Sequence, residues 1–197
     1  MLIKQLEGVR IVLGSQSPRR KELLANLGID FQVIVRETSE DFDPKQPAED
    51  IVRCIALDKL EAFHDDTFYD SLVITADTVV VHEGQILGKP KDQNEAIATL
   101  SGLQGKEHDV LTAVAIGYHG KVYSFVERTG VSFYPLLEQE IVHYVESFLP
   151  LDKAGSYGIQ EWIGLIGVKA LQGSYENVVG LPTARLYQEL KAIISAV

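Results

Sequence analysis

The stretch Gly14-Ser15-Gln16-Ser17-Pro18-Arg19-Arg20-Lys21-Glu22-Leu23-Leu24 follows a short apolar run, Val9 to Leu13, and leads into leucines at helical spacing that end at Gly28. A strand turning into a helix leaves unpaired backbone N–H groups and the positive helix end facing outward, which suits an anion. Ser17 is a good N-cap and Pro18 a good first helical residue, so capping alone accounts for those two. It does not account for Arg19 and Arg20 in the first turn, where the helix dipole disfavours cations. A bound anion such as a phosphate group reconciles them.

Asp77 is the second candidate, set among Val73, Ile74, Val79, Val80 and Val81 in a segment that reads as a buried strand. An ionised carboxylate there is costly unless it is paired or holds a metal, and the competing reading is an Asp that caps a turn at the strand end. Its neighbour Thr78 is an ordinary β-former. Lys59 lies on or beside the inner face of an apolar helix and Lys89 just past a strand, in Leu87-Gly88-Lys89-Pro90. Isolated lysines are usually solvated, yet Arg19, Arg20, Lys59 and Lys89 together would balance the charge of a triphosphate if folding gathers them.

The missing patterns narrow the field. Gly102-Leu103-Gln104-Gly105-Lys106 is too short for a Walker loop and lacks the following Ser or Thr. No dinucleotide-binding glycine signature, zinc-protease motif or serine-hydrolase elbow occurs. His64, His82, His108, His119 and His143 lack metal-ligand spacing, so any metal would be a hard ion held by carboxylates, Mg²⁺ or Mn²⁺.

These residues need elements to position them. Val9–Leu13 reads as a strand followed by the helix that ends near Gly28, Gly28–Val35 as a turn into a second strand, and Ala48–Phe63 as a helix with Ile51, Ile55, Ala56 and Leu60 inward. Leu72–Val81 reads as a strand that turns at Glu83-Gly84 into a short return strand through Ile86-Leu87. Asp92 with Glu95 starts a helix that Gly102 should end, and Val110–Tyr118 and Lys121–Phe133 pair across His119-Gly120. A helix over Leu137–Phe148 stops at Pro150, Asp152–Gln160 reads as a loop, and Leu181–Ile194 as a terminal helix with Pro182 in its first turn. The pattern predicts an α/β fold with a mixed sheet flanked by helices, in a single domain over residues 1–197.

Composition sets the outer bounds. In 197 residues, 46% hydrophobic and 23% charged, there is material for one substantial core. A net charge of -10 argues against binding nucleic acid polymers, so any phosphate site must be local. The first residues lack a signal-peptide pattern and no apolar run reaches membrane-spanning length, which predicts a soluble, cytoplasmic protein without a membrane partner. Cys54 stands alone, which excludes an internal disulfide, and its apolar surroundings predict core packing rather than a nucleophile.

Taken in order, these strings resemble one family. Ser15-Gln16-Ser17-Pro18-Arg19-Arg20 with Glu22-Leu23-Leu24, Glu40 in its acidic loop, Lys59, Ala76-Asp77-Thr78 and Leu87-Gly88-Lys89-Pro90 are similar to the Maf proteins, nucleotide pyrophosphatases with a fold related to inosine triphosphatases. Ser101-Gly102, Thr112-Ala113-Val114, Asp152–Gln160 and Gly173-Ser174-Tyr175 through Asn177-Val178-Val179-Gly180-Leu181-Pro182 continue the resemblance along almost the whole chain. It implies that Asp77 is the proton acceptor, that Arg19, Thr78 and Gln160 bear on substrate choice, and that Ser17, Arg20, Glu40, Lys59 and Lys89 line the pocket. It further implies hydrolysis of dTTP and UTP to monophosphate and pyrophosphate with a divalent cation, Glu40 and Asp77 being the candidate metal ligands, and a homodimer. A nucleotide-binding regulator of cell division is the competing reading. Two departures stand out: Gly14 where the family often has alanine, and Glu161-Trp162 where a glycine often follows the glutamine.

Overall fold

The computed structural model describes residues 1–39, 43 and 45–196. In chain order the elements are α1 (Leu2–Gln5), β1 (Ile11–Leu13), α2 (Pro18–Asn26), β2 (Gln32–Val33), α3 (Ala48–Glu61), β3 (Leu72–His82), β4 (Gln85–Leu87), α4 (Gln93–Leu103) and β5 (Glu107–Tyr118). They continue with β6 (Lys121–Phe133), α5 (Glu138–Phe148), α6 (Trp162–Gly167), β7 (Val168–Gln172), α7 (Tyr175–Val179) and α8 (Thr183–Ser195).

The strands hydrogen-bond in the order β2-β1-β3-β5-β6-β7, with β4 added to β3. β1 runs parallel to both β2 and β3, whereas β3–β4 and β6–β7 are antiparallel, so the sheet is mixed as the pattern predicts. The hairpin turns follow from backbone chemistry. Glu83 (φ 51) with Gly84 (φ 78), and His119 (φ 47) with Gly120 (φ 70), both place two consecutive residues at positive φ, the geometry that matches strand twist in a two-residue loop.

Two compact units emerge. Unit 1 comprises Met1–Asp77, Thr112–Glu127 and Gly180–Val197, and unit 2 comprises Thr78–Leu111 and Arg128–Val179. Unit 1 has a core in which Leu13, Leu72, Ile74, Val114 and Ile116 from the strands meet Leu24 of α2 and Leu186, Leu190 and Ile193 of α8. Unit 2 has its own, in which Val80, Val110, Val131 and Phe133 meet Leu100 and Leu103 of α4 and Ile141, Tyr144 and Val145 of α5. Among the described residues no helix is long and apolar enough to cross a membrane.

Several details differ from the expectation. α4 runs through Gly102 to Leu103, because Leu103 is fully buried, and the chain turns at Gly105, where φ is +67. α6, β7 and α7 arise in a region without a clear period, and the first strand begins at Ile11 rather than Val9. Cys54 is exposed, not packed in the core. α3 turns Ile51, Val52, Ile55 and Ala56 inward and leaves Cys54 beside Asp58 on the outer face, whose carboxylate, more than burial, raises the thiol pKa.

Candidate active site

In unit 1 the site starts where β1 ends. Gly14 N–H donates to Ile74 O at 2.8 Å, extending the parallel pairing by one residue. The chain then turns: Ser15 Oγ accepts from Ser17 N at 3.3 Å, and Ser17 Oγ accepts from Arg20 N at 3.4 Å as the N-cap of α2. Ser17 and Pro18 thus take the capping roles their types predict.

Arg20 answers part of the dipole puzzle. Its Nε donates to Gly180 O at 2.8 Å, and its Nη1 donates to Ala76 O at 2.9 Å and Ser15 Oγ at 3.3 Å. A guanidinium fork is suited to binding carbonyls from two segments at once. One side chain therefore ties the turn after β1, the residue before Asp77 and the start of the C-terminal segment into a single piece, and sets a fixed positive charge within it. Gly180 adopts φ +126, a conformation that L side chains rarely take, which explains the glycine at this point of the Val179-Gly180-Leu181-Pro182 string. Arg19 lies half-buried in the same first turn.

Asp77 meets Lys59 because of two periodicities. Residues 73, 75 and 77 share one face of β3, and Thr75 Oγ1 on that face donates to Ala56 O of α3 at 2.8 Å. Lys59 lies three residues beyond Ala56, one turn along the same side of the helix. Its Nζ reaches Asp77 Oδ1 at 2.7 Å, with side chains only 17% and 14% exposed. The carboxylate singled out from the sequence is thus paired with the lysine singled out on separate grounds.

Unit 2 carries the other candidates. Thr78 is half-buried, while Lys89 and Gln160 are exposed. Gly155 N–H donates to Gly88 O at 3.2 Å, joining the Gly88-Lys89 loop to the Asp152–Gln160 loop. That second loop is tightly specified. Gly155 (φ 69) and Ser156 (φ 64) are both left-handed, and a Cβ on Gly155 would fall 2.8 Å from Val80 Cγ2. Tyr157 OH and His108 Nε2 lie 2.7 Å apart in the core of the unit, where burial lowers the His108 pKa to about 4 and raises that of Tyr157.

Sequence reasoning assigned no role to Tyr144, Asp152, Lys153 or Glu161. Lys153 is 8% exposed and bonds Asp152 Oδ1 at 2.7 Å and Glu161 Oε1 at 3.2 Å, and Tyr144 OH donates to Glu161 Oε2. Burial, followed by that hydrogen bond, raises the Tyr144 pKa. A lysine in an apolar loop string was the available signal for an acidic partner.

Glu40 lies outside the described residues. Among those described, no group of three or more His, Cys, Asp or Glu side chains gathers as a metal cage. A cavity of about 190 Å³ in unit 1, lined by Phe63, Phe68, Tyr69 and Tyr118 among others, includes none of Ser17, Arg20, Lys59 or Asp77.

With this geometry in hand, comparison with known proteins is informative. Residues 10–193 match the Maf-like protein family. The chain is 46% identical over 193 residues to a dTTP/UTP pyrophosphatase of Phocaeicola vulgatus, covering 98% of this chain and 100% of that one. It is 45% identical over 196 residues to the protein of that name from Bacteroides fragilis (98% and 100% covered), and 43% identical over 198 residues to that of Christiangramia forsetii (100% of both). Among solved structures, the Staphylococcus aureus Ham1 protein aligns with 91% of this chain and 99% of its own at 18% identity and a TM-score of 0.49. Since the match takes in the serine–arginine turn, Asp77 and the glycine-rich loops of both units, the chain belongs to the Maf family.

Proposed function

We propose that the protein is a nucleoside triphosphate pyrophosphatase that hydrolyses dTTP and UTP to the monophosphate and pyrophosphate. The observation that carries this reading is the half-buried Asp77–Lys59 pair at 2.7 Å, next in sequence to the carbonyl that Arg20 holds. It supplies a carboxylate to take a proton and a cation to favour a polyanion.

A water oxygen attacks the α-phosphorus and gives its proton to an Asp77 carboxylate oxygen. The bond from the α-phosphorus to the bridging oxygen breaks, and pyrophosphate departs with that oxygen and the bonding electrons. Lys59 and Arg19 offset charge on the phosphates, and Arg20 keeps the turn and its charge in place, so that most of the rate comes from positioning and electrostatics. In unit 2, Lys89 adds a cation, while Thr78 and Gln160 are assigned to substrate choice. An amide offers both a donor and an acceptor, as the edge of a uracil or thymine base requires.

The family resemblance implies a divalent cation, Mg²⁺ or Mn²⁺. Mg²⁺ is usually held by one or two carboxylates together with substrate phosphates, and Asp77, with Glu40, would provide these. Once bound, such an ion neutralises charge on the phosphate oxygens. The whole chain, residues 1–197, is proposed to act as one functional domain, because the family match runs through both units. A cytoplasmic setting and a homodimer are carried over from the family resemblance, with sedimentation of the purified protein as the test of the latter.

The deciding experiment incubates purified protein with each common nucleoside triphosphate and Mg²⁺ or Mn²⁺, and separates the products by anion exchange. Pyrimidine monophosphate and pyrophosphate, lost in Asp77→Asn with nucleotide binding retained, are expected. Tight binding without turnover of any nucleotide would instead favour a binding regulator.

A further inference from the structure

We propose that Glu161 is a positioning residue for Gln160, an inference that rests on the reading of Gln160 as the base-contacting side chain. Glu161 N–H donates to Gly158 O at 3.0 Å, which closes a four-residue turn with Gln160 at its third position. Both ends of this turn are tied to one buried group. Tyr144, fully buried in α5, accepts from Gly158 N–H at 3.0 Å through its hydroxyl and donates that hydroxyl's proton to Glu161 Oε2. Lys153 Nζ engages the other carboxylate oxygen at 3.2 Å.

The carboxylate also occupies the space that a side chain at position 158 would need. A Cβ on Gly158 would lie 2.8 Å from the Glu161 carboxyl carbon and 3.0 Å from each of its oxygens. Gly158 and Glu161 therefore fit as a pair, and the departure from the glycine common at position 161 is compensated inside the turn. Charge decides why glutamate is needed. Tyr144 and Lys153 both present donors, so a carboxylate satisfies both, whereas an amide meets one of them with its own N–H₂. Holding the turn from both ends fixes where the exposed Gln160 side chain begins, and so limits the entropy lost when it bonds a base.

The test compares Glu161→Ala, Glu161→Gln, Tyr144→Phe, Gln160→Ala and the Glu161→Ala/Gln160→Ala double variant in the full-length protein. For each, kcat and KM are measured with UTP and with ATP, using enzyme in excess for the slower substrate. Each single variant is expected to lose on the order of tenfold in kcat/KM for UTP, the scale of one hydrogen bond, mainly through KM, and so to lower the UTP-to-ATP ratio of kcat/KM. The double variant should lose no more than Gln160→Ala, since the two residues act through one contact. Tyr144→Phe removes only a hydroxyl and keeps the inference testable if Glu161→Ala fails to fold. Equal losses on UTP and ATP, or multiplicative losses in the double variant, would overturn it and leave Gln160 in its role. An unchanged UTP-to-ATP ratio in Gln160→Ala would overturn the reading of Gln160 and this inference with it.

Discussion

Gly14→Ala offers a sharp test of how the serine–arginine turn is built, because alanine is common at this position in the family and yet does not fit here. A Cβ on Gly14 would sit 2.8 Å from Thr75 Cγ2 and 2.9 Å from Phe63 Cε2. Thr75 cannot turn away without giving up its 2.8 Å bond to Ala56 O, and Gly14 itself is held by its 2.8 Å bond to Ile74 O. The Phe63 ring can give way only at a cost, since it is 5% exposed and packed edge-on against Phe68 at 5.2 Å, and its movement leaves the Thr75 contact in place. Overpacking of this kind costs ~1–3 kcal/mol. Since Gly14 is not among the positive-φ glycines, alanine recovers ~0.4–1 kcal/mol through the unfolded chain. The net loss is about 1–2 kcal/mol, which in a chain of this size lowers Tm by roughly 2–8 °C.

The assay is a double-mutant cycle by thermal and denaturant unfolding. Phe63→Leu has a cost of its own, from the lost ring contacts, which the cycle cancels. In the Phe63→Leu background the contact with the ring is relieved while that with Thr75 Cγ2 at 2.8 Å remains, so Gly14→Ala should cost clearly less than in the wild type. Equal destabilisation in both backgrounds, or none in the wild type, would refute the assignment of Phe63 as one of the two residues that exclude alanine. Activity separates two ways of relaxing: a shift of the ring spares Ser15 and turnover, whereas a shift of the backbone moves Ser15 and lowers kcat/KM.

Other outcomes follow from the same geometry. Arg20→Ala should cost on the order of 2–4 kcal/mol in unfolding experiments, because it leaves the Gly180 and Ala76 carbonyls without the guanidinium, and Arg20→Lys should recover little without the fork. His108 titrates near 4 when folded and near 6.5 when unfolded, so the unfolded chain binds the extra proton between those values. Its contribution, about 3 kcal/mol, is full above pH 6.5 and lost as the pH falls to about 4; His108→Gln should flatten that part of the stability profile relative to wild type. Cys54 should react slowly with iodoacetamide near neutral pH, and Asp58→Asn should speed the reaction, since the Asp58 carboxylate is the main cause of the raised thiol pKa.

What the sequence made legible divides along physical lines. The hairpin from Val110 to Phe133 was readable because two β-type, largely apolar runs flank a His-Gly pair that accepts positive φ at both turn positions. The helix after Ser17 was readable from its cap. α6, by contrast, is a six-residue helix with two glycines, held by Ile163 in the core of unit 2 rather than by its own propensity. Cys54 was misplaced because an apolar run was read as uniformly buried, where a helix buries only one face. For the site, residue types pointed to Arg20, Lys59 and Asp77 but not to their contacts. Arg20 reaches a carbonyl 160 residues away in sequence and another 56 away, and no local pattern encodes such a partnership.

That partnership bears on how an acidic protein handles a polyanion. The chain carries a net charge of -10, which on its own would repel a triphosphate. At physiological salt, charges more than about 8 Å apart are largely screened, so the cations within reach of the phosphates govern binding rather than the total. A flexible surface lysine would have to be ordered at each encounter, at the cost of side-chain entropy. Arg20 is already fixed by two carbonyls and Ser15, and Lys59 by Asp77, so unit 1 holds its positive groups in place before any ligand arrives. On the proposed reading, pre-organisation of this kind is what electrostatic catalysis requires, and the three protein acceptors of Arg20 account for its place at a helix start where the dipole alone disfavours it.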